Sequence, residues 1–210
     1  MAKLDYQNGE DYGVQHKSAL DVVLGPDRRR VWRAFAREVG GTYSEYGVFA
    51  SSKIVTPVYG IPLEMRRVRV GGTSGADLLQ LRARYPDPGC FHFSLARRHS
   101  AAVPDPGVTT GNDTFDSPIR ITSRSAEFVR RVFSNAELRV AVLRADVRTI
   151  RWDVRHPWFG RRGESESILR IYGDGRDVEE LRFAFDAGAA GLQSISMVIE
   201  QIPPVRNDRR

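Results

Sequence analysis

A chain of 210 residues that is 41% hydrophobic and 28% charged can bury one sizeable core, which excludes wholesale disorder and low-complexity fibres. No run approaches the roughly 18 apolar residues that span a bilayer, and Met1 to Asp11 holds no apolar stretch for secretion, so a cytoplasmic protein without a transmembrane segment is expected. The net charge of +6 invites an acidic partner, yet 26 acidic residues lie among 32 basic ones, which weakens any argument for nucleic acid from charge alone.

Residues 1–24 have few apolar positions and no sustained periodicity, and are expected to form a poorly structured leader. Gly25-Pro26-Asp27 then starts a helix, because Pro at the first helical position loses no bond it would have made. Val31, Phe35 and Val39 recur at four-residue steps until Gly40-Gly41 stops it. From Thr42 to Arg98, runs rich in Val, Ile, Tyr and Phe are broken by Thr56-Pro57, Gly60-Ile61-Pro62, Gly71 to Gly75 and Pro86 to Gly89. These connections are too short for helical crossovers, so the stretch predicts an antiparallel meander of four or five strands. Ala101 to Asn112, with Pro104, Pro106, Gly107 and Gly111, is a loop.

The second half reads as strand, helix, helix, strand, strand, helix. Phe115, Ile119 and Ile121 are set on one face of a strand, Phe128, Val129, Val132 and Phe133 on a helical stripe, and Ser134 with Glu137 as a capping box for a second short helix. Val147 to Val154 and Ser167 to Tyr172 are strands flanking the loop from His156 to Glu164. Asp177 with Glu180 opens a long final helix, about Val178 to Ile199, carrying Leu181, Phe185, Leu192 and Ile195, with Ala184, Gly188 and Gly191 allowing close approach. The expectation is one α+β domain over residues 25–202, an antiparallel sheet covered by helices, followed by a tail at 203–210.

Phe115-Asp116-Ser117-Pro118-Ile119-Arg120-Ile121, continuing through Val129 to Asn135 and Leu138-Arg139, resembles an uncharacterised, mainly bacterial family of domains of unknown function. That family pairs a Phe-Asp strand with a following helix, a Phe-Ser-Asn break and a Leu-Arg pair. Ile119 departs from its usual aromatic, and Pro118 is unexpected inside a strand. The resemblance implies an α+β fold and no activity.

The sequence holds no phosphate loop, nucleophile elbow, zinc-protease helix or dinucleotide fingerprint. Cys90 is the only cysteine, so an intramolecular disulfide and a thiolate zinc site are excluded. His16, His92, His99 and His156 show no paired spacing, and neither a metal nor a cofactor is expected. Asp113 and Asp116 sit where Asx side chains bond local backbone, which favours a turn role over an acid pair. For Arg139 a charge pair with Asp116 is considered.

Two features break a local rule. Arg28, Arg29 and Arg30 put positive charge on the first helical turn, against the macrodipole, and with Arg33 they form a candidate anion site. His156, Trp158, Phe159, Arg161 and Arg162 set large aromatics beside arginines in a loop, a candidate interaction surface. The expected role is a non-catalytic interaction or scaffold module with a protein partner. The alternative is an anion or nucleic-acid binder using the basic helix start and the aromatic loop.

Overall fold

The computed structural model describes residues 28–45, 52–70, 76–86, 92–98, 107–145, 150–155 and 164–201. Helix α1 spans Arg28–Glu38 and leads into strands β1 (Thr42–Ser44), β2 (Lys53–Val58), β3 (Ile61–Val70), β4 (Ala76–Pro86) and β5 (Phe93–Arg97). A single helical turn, α2 (Asp113–Asp116), precedes β6 (Ile119–Ser123), and helices α3 (Ala126–Val132) and α4 (Ala136–Ala145) follow. Strands β7 (Ile150–Arg155) and β8 (Glu164–Tyr172) and the long helix α5 (Val178–Glu200) complete the order.

All eight strands pair antiparallel in one sheet, ordered β1-β2-β3-β4-β8-β7-β5-β6. The expected meander therefore covers β1 to β4 and stops there. Strand β5 lies beyond β8 and β7, which enter the middle of the sheet, because nine register pairs join β4 to β8 from Leu78↔Tyr172 to Pro86↔Glu164. Local periodicity predicts each strand but carries no information on this long-range insertion.

Period-2 alternation divides the sheet into two unlike faces. Ile54, Leu63, Met65, Leu79, Leu81, Phe93, Leu95, Ile121 and Leu169 turn one way into the core, under α5 and its neighbours. Helix α5 buries Leu181, Leu192, Ile195 and Val198, and a Cβ on Gly188 would stand 2.6 Å from Leu81, so the missing side chain lets helix and strand approach. Phe185 is only partly buried and meets Phe35 of α1 edge to face at 5.9 Å.

In α1 the buried residues are Trp32, Phe35 and Ala36, whereas Val31 and Val39 are partly buried, so the helix is rotated from its sequence stripe. Trp32 is fully buried and donates its indole N–H to the Gly175 carbonyl at 2.9 Å. Gly175 has φ of +68°, and a Cβ there would stand 2.7 Å from the Trp32 ring, so the turn between β8 and α5 needs glycine on both counts.

Local chemistry around residues 110–139 differs from expectation in three places. Phe115 lies in α2, not in a strand: Asn112 caps that turn by accepting from the Phe115 amide at 3.0 Å. The cap of α4 is Asn135, one residue later than the predicted Ser134, with its Oδ1 accepting from the amides of Glu137 at 2.9 Å and Leu138 at 3.3 Å. Ser134 instead donates to the Arg131 carbonyl at the end of α3. Arg139 makes no pair with Asp116; it donates to the carbonyls of Phe133 and Ser134, closing the same helix end. Asn135→Ala is expected to cost about 1 kcal/mol, the usual cap loss, together with the bond that Asn135 Nδ2 donates to buried Ser194 at 3.0 Å. Ser134→Ala should cost less, and paired urea melts check the order.

Candidate functional site

The first predicted cluster, Arg28, Arg29, Arg30 and Arg33, lies on α1 beside the β1 edge, and carboxylates of the chain meet it there. Arg28 reaches Asp174 at 3.5 Å, and Arg29 and Arg33 approach Glu45 at 3.3 and 4.0 Å. Arg33 also lies over the Tyr43 ring, 5.5 Å from its centroid. Tyr43 donates to Glu45, and burial together with that bond raises the phenol above its ordinary pKa. The positive charge at this helix start is thus met by local acids. The second predicted cluster, His156, Trp158, Phe159, Arg161 and Arg162, lies outside the described residues.

Asp116 has the turn role expected of it. Its carboxylate accepts from the Thr110 amide at 3.0 Å, from the Thr110 hydroxyl at 2.8 Å and from the Gly111 amide at 3.1 Å. Phe115 and Phe133 pack at 5.2 Å, and Phe133 meets Phe93 at 5.6 Å. Packing, capping and turn bonds therefore account for the motif between Phe115 and Arg139.

A third surface emerges only from strand register. On the sheet face turned away from the helices, cross-strand pairing aligns Lys53 with Arg66, Glu64 with Arg82, Arg66 with Gln80, Gln80 with Arg170, Arg84 with Glu166 and Ser94 with Asp153. The side chains form three polar groups that together span six strands. Lys53 pairs with Glu64 at 2.8 Å, and Arg66 lies 3.9 Å from the same carboxylate. Glu166, its side chain only 4% exposed, accepts from the Nε of Arg82 and from that of Arg84 at 3.2 Å. Arg170 donates to Gln80 at 3.2 Å and lies 3.6 Å from Asp153, which accepts from the Ser94 hydroxyl at 2.8 Å.

The physical effect is to order long side chains. A free arginine loses about 2 kcal/mol of rotamer entropy when a partner fixes it, whereas Arg82 and Arg84 are already held side by side by a carboxylate recessed between them. Beside them lies a depression of about 410 Å³ lined by Lys53, Val55, Pro62, Glu64, Arg82 and Arg84. On this face, among the described side chains, Lys53, Arg66, Arg82, Arg84, Arg120 and Arg170 outnumber Glu64, Asp153, Glu164 and Glu166. The register also sets Arg155 opposite Glu166 and Arg151 opposite Arg170. Alternation in β3 and β4 marks these positions as the polar side of each strand, but their neighbours depend on the order of strands in the sheet.

Among the described residues no three His, Cys, Asp or Glu side chains converge as metal ligands, and no helix is long and apolar enough to cross a membrane. Compared with family models, with curated proteins and with solved structures, the chain matches none.

Proposed function

We propose that the protein is a non-catalytic interaction module whose working surface is the charged face of the sheet, and that its partner is an acidic protein segment. The observation that carries this reading is the pair Arg82 and Arg84, fixed on the recessed Glu166 at the centre of a face where cations exceed carboxylates. A partner carboxylate meeting these guanidinium groups finds them already ordered, so less entropy is lost on binding. The interspersed Glu64, Asp153 and Glu164 favour a protein segment over nucleic acid, because a continuous phosphate backbone would meet them with repulsion, whereas a polypeptide can set neutral or basic residues there.

The test uses fluorescent poly-L-glutamate and a single-stranded RNA oligonucleotide as probes. Arg66→Gln with Arg84→Gln leaves the Arg82 contact to Glu166 in place, so the fold should survive. Two exposed ion pairs at roughly 0.7 kcal/mol apiece predict about a tenfold loss of polyglutamate affinity, with binding that falls as salt rises. Arg28→Gln with Arg29→Gln and Arg30→Gln should leave polyglutamate affinity nearly unchanged. The reverse pattern would move the site to α1, and much tighter binding of RNA than of polyglutamate would make nucleic acid the partner.

A further inference from the structure

On the opposite side of the molecule the outer surface of the helical layer carries an apolar groove between α4 and α5. It has a volume of about 350 Å³ and is lined by Val140, Ala141 and Phe183, with Glu137, Arg144 and Asp186 around it. Val140 is 48% exposed and Phe183 is 37% exposed, two of the large apolar side chains that the described surface leaves open. Along α4, Glu137, Val140, Ala141 and Arg144 fall at i, i+3, i+4 and i+7, so they form one stripe about 10 Å long.

The order of chemistry along that stripe is its informative property. An acid stands at one end, a base at the other, and two apolar residues lie between them. Turned by a twofold axis through the point between Val140 and Ala141, the stripe meets its own copy with opposite charges at both ends. Glu137 would face the partner's Arg144, Arg144 would face the partner's Glu137, and the apolar residues would meet at the centre. Among the described residues neither Glu137 nor Arg144 has an ion-pair partner within 4.0 Å. Asp186 lies near enough to Arg144 to feel its charge. Phe183, on the neighbouring helix, widens the apolar strip beside Val140.

We infer that the groove between α4 and α5 is a self-association surface, on which a second copy of this chain docks with its α4 antiparallel across the twofold axis. The patch is small beside the roughly 800 Å² per partner of a stable interface, so the dimer is weak and concentration-dependent. The inference is independent of the sheet face, which lies on the other side of the molecule and stays open in such a dimer.

Sedimentation velocity over a wide concentration range tests it with three proteins. The unaltered chain should shift from monomer to dimer as concentration rises. Glu137→Arg alone sets base against base at both ends, and Arg144→Glu alone sets acid against acid, so each should remain monomeric over the same range. Mixed in equal amounts, these two variants regain opposite charges at both ends and should form a heterodimer. The mixture also guards against misfolding, since only two folded chains can restore the pairing. An unaltered chain that stays monomeric throughout, or single variants that associate as well as the parent, would overturn the inference. So would a mixture that shows no heterodimer after the parent has been seen to dimerise.

Discussion

Ending the chain before Val178 is expected to abolish cooperative unfolding. Helix α5 buries Leu181, Leu192, Ile195 and Val198 in the core between the sheet and the other helices and places Gly188 directly on Leu81. At about 1.5 to 3 kcal/mol for each large apolar side chain removed from water, these four alone represent about 6 to 12 kcal/mol. That is comparable to the whole stability of a typical domain, about 5 to 15 kcal/mol. Removal of α5 would also uncover Leu63, Leu81 and their neighbours, opening the middle of the sheet's apolar face to water. Circular dichroism melts should show no sigmoidal transition for the truncated protein. A truncated chain that still melted cooperatively near the full-length temperature would refute the two-layer packing.

Trp32→Ala should cost about 3 to 5 kcal/mol, the range for deleting a large buried aromatic. Trp32 is fully buried and its indole N–H is committed to the Gly175 carbonyl. The substitution therefore opens a cavity and leaves that carbonyl without its donor. The turn it holds lies just before Asp177, which caps α5 by accepting from the Glu179 amide at 2.9 Å. Glu180, three positions after the cap, reaches back to the Gly175 amide at 3.2 Å, and burial raises its carboxyl above the ordinary range. Loss of Trp32 thus loosens the start of α5 as well as the seat of α1. Trp32→Phe keeps most of the volume and loses the hydrogen bond, so it should fall between the parent and Trp32→Ala. Equal stability of parent and Trp32→Ala in urea melts would contradict the docking of α1 on this turn.

Much of the fold was legible in the sequence because its signals are local. The final helix emerged from its apolar spacing and from Asp177, with its end within a residue of Glu200. The meander from β1 to β4 followed from short connections that allow only antiparallel neighbours. What stayed hidden depends on contacts distant in sequence. Trp32 lies outside the four-residue series of Val31, Phe35 and Val39, and its partner Gly175 is 143 residues away. The insertion of β7 and β8 beside β4 leaves no trace in the periodicity of any single strand. At the caps the error was one residue, because Ser134 and Asn135 are both good capping residues and only backbone geometry decides between them.

The candidate surfaces divide in the same way. Arg28, Arg29 and Arg30 were conspicuous because they oppose the helix macrodipole, but the sequence does not reveal that Asp174 comes to meet Arg28 and that Glu45 meets Arg29 and Arg33. Lys53, Arg66, Arg82, Arg84 and Arg170 were ordinary polar positions until register set them on one face with Glu166 beneath two of them. A charged sheet face is a property of strand order, and strand order is what alternation cannot convey.

The claim that this face is the working surface is tested most directly by nuclear magnetic resonance, following backbone amide and arginine Nε–Hε signals as poly-L-glutamate is added at low salt. Shifts are expected to cluster on Lys53, Glu64, Arg66, Arg82, Arg84 and Arg170, and to reverse as salt is raised. Shifts confined to Arg28 to Arg33 or to the groove between α4 and α5, with the sheet face unperturbed, would contradict it.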